Sequence, residues 1–127
     1  MEVILDTNAL SAILDGNTDI QAIAASRGPF WLPAIVIGEY WFGLLSSKKR
    51  RPLELYFRQL VDKCIVLKVE QPTAEIYAQI RFELKQKGRP LPDNDIWIAA
   101  LARQHNLSLV SRDSHFDDVD GIRRISW

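Results

Sequence analysis

Short apolar segments alternate with longer helical segments along this chain, and that alternation constrains its fold more than any other feature. Val3–Leu5, residues 65–69 and residues 107–110 are short, apolar or β-branched, and bounded by polar or turn-forming residues. Such runs are typical of buried strands in a parallel sheet, because helices cover both of its faces. We therefore predict an α/β fold, a three-layer α/β/α sandwich around a mostly parallel sheet of about four to five strands.

The other segments complete the predicted order of elements. Residues 30–32 and 123–125 are two further short strands. The predicted helices span residues 9–14, 18–26, 34–46, 52–61, 72–87 and 93–105, and their ends are marked by glycine, proline and polar residues. Pro33 is expected in the first turn of the third helix. Because the sequence contains no interdomain linker and no repeat, we expect one domain over residues 1–127.

The single cysteine and the lack of a long apolar run bear on the compartment. Cys64 excludes an internal disulfide framework and suits a reducing environment, where we expect it to be a buried structural thiol. No apolar segment approaches the roughly 20 residues that span a bilayer. The first residues lack the basic region of a secretory signal. These features predict a cytoplasmic protein.

Two acidic residues follow apolar strands. Asp6 comes directly after Val3–Leu5, and Asp113 follows the strand that ends at Val110. Both should lie at the carboxyl edge of the sheet, where open α/β folds bind ligands. The ordinary alternative for an acid in this position is a turn-forming or helix-capping residue.

Two further acids lie on apolar helix faces. Glu39 is inside the apolar third helix with no basic residue within one turn, and Asp95 shares a face with Ile98. A buried carboxylate is costly unless it is paired, protonated or coordinated, and a salt bridge is the ordinary alternative for Glu39. Gly43 costs about 1 kcal/mol relative to alanine in a helix interior. We interpret it as a sign that another backbone approaches this face. Asp93, after Pro92, is expected to cap the sixth helix.

These four carboxylates predict a site for Mg²⁺ or Mn²⁺, since both ions prefer hard oxygen ligands. Two such ions would stabilise the attacking and leaving oxygens of a phosphodiester hydrolysis without a catalytic histidine. The predicted metal-binding and catalytic residues are Asp6, Glu39, Asp95 and Asp113. The neighbouring side chains expected to orient these ligands or water are Thr7, Asn8 and Ser111. His105 and His115 lack zinc-site spacing, and Asp117, Asp118 and Asp120 are expected in a polar loop.

Three segments carry a family resemblance: Ile4-Leu5-Asp6-Thr7-Asn8, Glu39 in a helix after Leu32-Pro33, and Asp95-Ile96-Trp97-Ile98-Ala99-Ala100. Together they closely resemble the PIN-domain family, and the match runs from residue 3 to the end. The chain length and Ser111-Arg112-Asp113-Ser114-His115-Phe116 resemble, within that family, VapC-type toxins of type II toxin–antitoxin systems.

The resemblance implies a PIN-like fold, Mg²⁺- or Mn²⁺-dependent endoribonuclease activity, homodimerisation and inhibition by a small cognate antitoxin. Asp6, Glu39 and Asp95 match the acidic triad of the family. Asp113 matches its more variable fourth acid, for which many relatives carry asparagine. Asp93 matches no required position. The dimer surface stays unassigned, although residues 41–45 supply more apolar area than one buried face requires, and Trp127 is expected either in the core or against a partner.

The charge distribution is compatible with an RNA substrate. The chain has 16 basic and 16 acidic residues, so committing four acids to cations leaves an excess of four bases. The densest basic run is Lys48-Lys49-Arg50-Arg51, and a second group comprises Arg81, Lys85, Lys87 and Arg89. Contacts with RNA phosphates are one interpretation of these groups. A solvated loop and an ordinary polar helix face are the alternative.

Other proteins that use acids at a sheet edge fit less well. A receiver domain needs a lysine after a late strand, where this chain has Ser111 and Arg112. A haloacid-dehalogenase-type phosphatase needs Asp-x-Asp after the first strand, where this chain has Asp-Thr-Asn. A catalytically silent PIN-fold module that binds RNA or protein is the remaining alternative. Four intact acids argue against it, because an unused buried carboxylate is costly.

Overall fold

The computed structural model describes residues 2–48 and 50–127. Its centre is a sheet of five strands in the order β3-β2-β1-β4-β5, and every neighbouring pair is parallel. The strands are β1 (Val3–Leu5), β2 (Trp31–Pro33), β3 (Ile65–Leu67), β4 (Ser108–Val110) and β5 (Arg124–Ile125). The predicted α/β class and strand number are therefore confirmed.

The described residues contain six α-helices, and each matches a predicted segment. They are α1 (Thr7–Leu14), α2 (Thr18–Ala25), α3 (Ala34–Leu45), α4 (Arg50–Lys63), α5 (Gln71–Lys87) and α6 (Asp93–His105). A short 3₁₀ helix over Ser114–Asp118 was not predicted. None of these helices is long and apolar enough to cross a membrane.

Helices α1, α4 and α5 begin one or two residues earlier than predicted, at Thr7, Arg50 and Gln71, whereas α3 begins at the predicted Ala34. Helix α1 begins at Thr7 rather than at residue 9, because the extended backbone of Asp6 and its side chain cap the first turn. Pro33 was expected inside the first turn of α3. It instead ends β2 and occupies the N-cap position with φ −63° and ψ 138°. Proline tolerates this extended conformation as readily as a helical one, so its sequence position alone does not distinguish the two.

The core lies on both faces of the central strands. Val3, Ile4 and Leu5 of β1 are buried, as are Leu109 and Val110 of β4. Their register pairs Ile4 with Leu109 and Leu5 with Val110, and the Asp6 N–H donates to the Val110 carbonyl at 3.1 Å. The chain segments that follow β1 and β4 therefore leave the sheet side by side.

Cys64 lies at the edge of this core. It is half-buried, and burial raises the pKa of its thiol to about 11. The thiol is therefore protonated at neutral pH, in agreement with a structural rather than a reactive cysteine.

Two glycines behave differently from each other. Gly88 ends α5 in the left-handed region, with φ 67°, and its N–H donates to carbonyls of the last turn. Gly43 lies in α3, and a Cβ added there would meet nothing within 4 Å. The prediction that another backbone approaches Gly43 was therefore wrong. The exposed side of α3 is open at this position, and tight packing does not require the glycine.

This contrast predicts opposite effects of two alanine substitutions. Gly43→Ala should raise the free energy of unfolding by about 1 kcal/mol, since alanine favours the helix and meets no neighbour. Gly88→Ala should lower it by about 1 kcal/mol, because a Cβ strains the left-handed conformation. Urea unfolding of the two variants measures both effects, and a loss of stability in Gly43→Ala would contradict the open face.

Candidate active site

Asp6 is the most firmly held of the predicted acids. Its side chain follows β1, is only 5% exposed and caps α1. One carboxylate oxygen, Oδ1, accepts a hydrogen bond from the Thr7 N–H at 2.7 Å. The other, Oδ2, accepts from Ser111 Oγ at 2.6 Å and from Asn8 Nδ2 at 3.1 Å. Both oxygens are therefore fixed in direction before any ligand binds.

Asn8 and Ser111 join the ends of β1 and β4. Asn8 Nδ2 lies 3.3 Å from Ser111 Oγ, and Asn8 Oδ1 accepts from the Arg112 N–H at 3.2 Å. Ser111 Oγ in turn accepts from the Asp113 N–H at 3.0 Å. This network fixes the Asp113 backbone relative to Asp6, although the two residues are far apart in the sequence.

Glu39 approaches the same edge from α3. It is half-buried, and its Oε1 accepts a hydrogen bond from Thr7 Oγ1 at 2.9 Å. Over the described part of the chain Glu39 forms no salt bridge, which was the ordinary alternative for it. Phe42 on the same helix is 70% exposed. This apolar face is thus partly open to solvent.

Asp95 lies in the first turn of α6 and is half-buried. Burial, and after it the negative charges of Asp6, Asp113 and Glu39, together raise the pKa of its carboxyl to about 6. Burial also raises the pKa of Asp6, as do the charges of Glu39 and Asp113, against the lowering effect of the Ser111 and Thr7 hydrogen bonds. The four acids therefore repel one another at the carboxyl edge of β1 and β4, and we call this cluster the acidic pocket.

Asp113 and His115 form the outer wall of this pocket. Asp113 caps the 3₁₀ helix, and its Oδ1 accepts from the His115 N–H at 2.9 Å. The His115 ring nitrogen Nδ1 lies 2.8 Å from the same oxygen. His115 was expected to lie in a turn without a site role, yet its charge lowers the pKa of Asp95. Its position two residues after an acid was the sequence signal for this contact.

The prediction that Asp93 caps α6 was wrong. Pro92 takes the N-cap position with an extended backbone, so Asp93 becomes the first helical residue. Its Oδ1 accepts from the Tyr77 hydroxyl at 2.9 Å and lies 3.7 Å from Arg81 Nη1. Asp93 therefore contacts α5, and it is not among the charges that shift the pKa of Asp95.

The remaining acids and the second basic group pair with each other on the surface. Arg89 bonds Asp118 at 3.0 Å, and Lys87 lies 3.0 Å from Asp120. Arg124 bonds Asp117 through two nitrogens, and this contact lowers the pKa of that acid. These pairs favour the interpretation of the second basic group as an ordinary polar helix face rather than as a contact for RNA phosphates. In the first basic run, Lys49 lies outside the described residues.

The donor set of the pocket suits Mg²⁺ or Mn²⁺. Its ligands are carboxylate oxygens, and within residues 2–48 and 50–127 no lysine or arginine contributes to the pKa shift of Asp6 or Asp95. Among these residues, no group of three or more Asp, Glu, His or Cys side chains is close enough together to hold a metal ion as the side chains stand.

Comparison with known families and proteins agrees with this geometry. Residues 3–122 match the model of the PIN domain. The chain is 32% identical over 122 residues to a protein named Toxin FitB of Neisseria gonorrhoeae, covering 88% of each chain. It is 28% identical to Ribonuclease VapC5 of Mycobacterium tuberculosis, covering 96% of this chain and 90% of the relative.

Solved structures have the same fold. The crystal structure of FitAcB from Neisseria gonorrhoeae superimposes with a TM-score of 0.87 and 31% identity, over 98% of this chain and 96% of the other. VapBC-5 from Mycobacterium tuberculosis, described as a member of the VapBC family of toxin-antitoxin systems, gives a TM-score of 0.76 at 24% identity, over 98% and 96% of the two chains. At that identity the second likeness concerns the fold alone.

The raised pKa of Asp95 predicts how stability depends on pH in the metal-free protein. A carboxyl whose pKa rises from 3.8 to about 6 on folding stabilises the fold below about pH 4, and this contribution is lost as the pH rises through about 6. Asp95→Asn imitates the protonated carboxyl. It should therefore raise the free energy of unfolding by about 1 kcal/mol at about pH 7.5, less than the full shift because water screens a half-exposed group.

Thermal unfolding in a chelator between about pH 4 and pH 8 measures this effect. The difference between Asp95→Asn and the wild type should shrink toward pH 4. Asp93→Asn is the matched control on the same helical turn, and it should give no gain at high pH because Asp93 lies outside the pocket. An equal gain in stability in both variants would mean that the neighbouring acids do not repel Asp95 more than they repel Asp93.

Proposed function

The chain belongs to the PIN-domain family, and we propose that it is a Mg²⁺- or Mn²⁺-dependent endoribonuclease of the VapC type, the toxin of a toxin–antitoxin pair. The observation that carries this proposal is the mutual repulsion of four carboxylates at the carboxyl edge of β1 and β4. A cation relieves such repulsion, and an anionic phosphodiester needs a cation to approach four acids. The names of the relatives, a toxin and a ribonuclease, support RNA as the substrate.

The carboxylates have distinct roles in this proposal. Asp6, Glu39 and Asp95 would hold the metal, and Asp113 would complete the pocket from the outer side. Ser111 and Asn8 hold Asp6 Oδ2, so they would fix the direction of a metal-ligating oxygen. Thr7 does the same for Glu39 through its hydroxyl.

When bound, the divalent ion would activate a water for attack on the phosphorus and offset the charge of the leaving oxygen. The protein residues then have two tasks. The buried floor around Asp6 excludes bulk water from one side of the pocket. The hydrogen bonds from Thr7, Asn8 and Ser111 hold the carboxylates in place while the phosphate binds.

We also propose the partners and organisation that the family resemblance implies. Residues 1–127 would form one PIN domain acting in the cytoplasm as a homodimer, inhibited by a small cognate antitoxin. Phe42 and Leu45 on α3 are 70% and 62% exposed, and a protein partner would cover such surface. Leu44 is buried and Trp41 packs edge-on against Phe57, so these two do not add to that surface.

The proposal predicts metal-dependent cleavage of RNA that needs the pocket acids. With Mg²⁺ or Mn²⁺ the wild type should cut total RNA at defined sites, and a chelator should abolish the cuts. Asp6→Asn and Asp95→Asn should each reduce the cleavage rate by about 100-fold or more, a loss of about 3 kcal/mol of transition-state stabilisation. Mapping the new RNA ends by sequencing measures both the rate and the sites.

Asp93→Asn is the matched control for this experiment. It removes one carboxylate two residues from Asp95, but its contacts are with Tyr77 and Arg81. The control should keep at least half of the wild-type rate. Undiminished cleavage in both Asp6→Asn and Asp95→Asn would refute the proposed nuclease site, and no cleavage by the wild type would favour the silent PIN-fold module.

A further inference from the structure

Arg112 and Trp127 form a stacked pair beside the acidic pocket. The Arg112 guanidinium carbon Cζ lies 4.7 Å from the centre of the Trp127 ring. Strands β4 and β5 pair with Val110 opposite Ile125, and the two stacked residues each follow this pair by two positions. Arg112 and Trp127 therefore leave the sheet together at its carboxyl edge, on the β5 side of the pocket.

The backbone of Arg112 is fixed relative to the pocket. Its N–H donates to Asn8 Oδ1 at 3.2 Å, and Asn8 Nδ2 donates to Asp6 Oδ2 at 3.1 Å. The next residue along the chain is Asp113, whose own N–H is held by Ser111. The Asn8 side chain thus connects the Arg112 backbone to Asp6, the most buried acid of the site.

The guanidinium of Arg112 is charged, exposed and not used by the pocket. Among the described residues it forms no hydrogen bond or salt bridge, and it does not contribute to the pKa shifts of Asp6 or Asp95. Arg89 and Arg124, by contrast, are paired with carboxylates. A guanidinium beside four acids would ordinarily form a salt bridge with one of them. The Arg112 guanidinium instead lies over the Trp127 ring.

The Trp127 ring is the surface against which the Arg112 guanidinium packs. Its ring is half-buried and packs against the core. The indole Nε1 is buried without a hydrogen-bond partner in the described part of the chain. Ring packing rather than hydrogen bonding therefore orients Trp127. Arg112 is exposed, and its guanidinium donors bond no other described residue, so they stay available to a ligand.

We propose that Arg112, whose guanidinium lies over the Trp127 ring, is the platform on which an unpaired base of single-stranded RNA stacks next to the scissile phosphate. This inference rests on the proposed nuclease function and adds the substrate form to it. Bases of unpaired RNA stack on guanidinium planes as well as on aromatic rings, whereas bases within a duplex are not available for this contact. The positive charge also offsets the repulsion between the RNA backbone and the acidic pocket. Trp127 is a positioning residue, since it acts through Arg112.

The test is the binding of a fluorescein-labelled oligoribonucleotide of about 10 nucleotides, made with phosphorothioate linkages that slow its cleavage and measured by fluorescence anisotropy with Mg²⁺ present. Arg112→Gln should raise the Kd for the single strand about tenfold, or about 1.4 kcal/mol. Arg112→Lys and Trp127→Leu should each raise it about threefold or more, because the charge remains but the platform is lost. A fully paired duplex of the same sequence should show less than a twofold difference among wild type, Arg112→Lys and Trp127→Leu.

Arg123→Gln is the matched control. Arg123 is exposed, precedes β5 and lines a cleft with Asn106 and Ser108, at the opposite edge of the sheet. Arg123→Gln changes the net charge by the same amount as Arg112→Gln, and it should alter the Kd for the single strand less than twofold. Thermal unfolding checks each variant, and Arg112→Lys keeps the test decisive if Trp127→Leu is destabilised.

Three outcomes would overturn the platform. They are equal losses in Arg112→Gln and Arg123→Gln, full single-strand affinity in Arg112→Lys, and a loss of antitoxin binding in Arg112→Gln with unchanged RNA affinity. None of them affects the proposed nuclease function, which fails separately if Asp6→Asn still cleaves RNA or if the chelator does not stop cleavage.

Discussion

The repulsion among four carboxylates is the interaction on which the rest of this structure depends. Asp6 and Asp95 both have raised pKa values, first because they are buried and then because acids from other elements face them. A fold keeps such a group only if other contacts hold the acids in place. Here Thr7, Asn8 and Ser111 supply those contacts by donating to Asp6 and Glu39. These hydrogen bonds hold the acids together despite their repulsion, which a bound cation would relieve.

The parallel sheet makes this arrangement possible. Because β1 and β4 are neighbours, the residues after both strands meet at one edge, and α3 and α6 bring Glu39 and Asp95 to the same place. The same edge continues toward β5, where the Arg112 guanidinium lies over the Trp127 ring. The Arg112 guanidinium is therefore near the four acids but forms no salt bridge with them among the described residues. In the proposed function, an RNA phosphate would meet the metal ion and the Arg112 guanidinium at the same edge of the sheet.

Much of this could be predicted from the sequence, because the relevant signals are local. An apolar run followed by Asp6 predicts a strand end, and Asp95 in a helix with apolar neighbours predicts a half-buried acid. The missed features depend on contacts between distant segments. Asp93 was expected to be a cap, but Tyr77 and Arg81 of α5 determine its position. The open face at Gly43 and the stack of Arg112 on Trp127 likewise depend on what surrounds each residue, which periodicity does not report.

The central claim is that the four acids form one cation site, and calorimetric titration with Mn²⁺ tests it most directly. It does not depend on the identity of the RNA. The account predicts saturable binding by the wild type and by Asp93→Asn, and a loss of affinity of at least about tenfold in Asp6→Asn and in Asp95→Asn. Equal Mn²⁺ affinity in the wild type and in both pocket variants would contradict it.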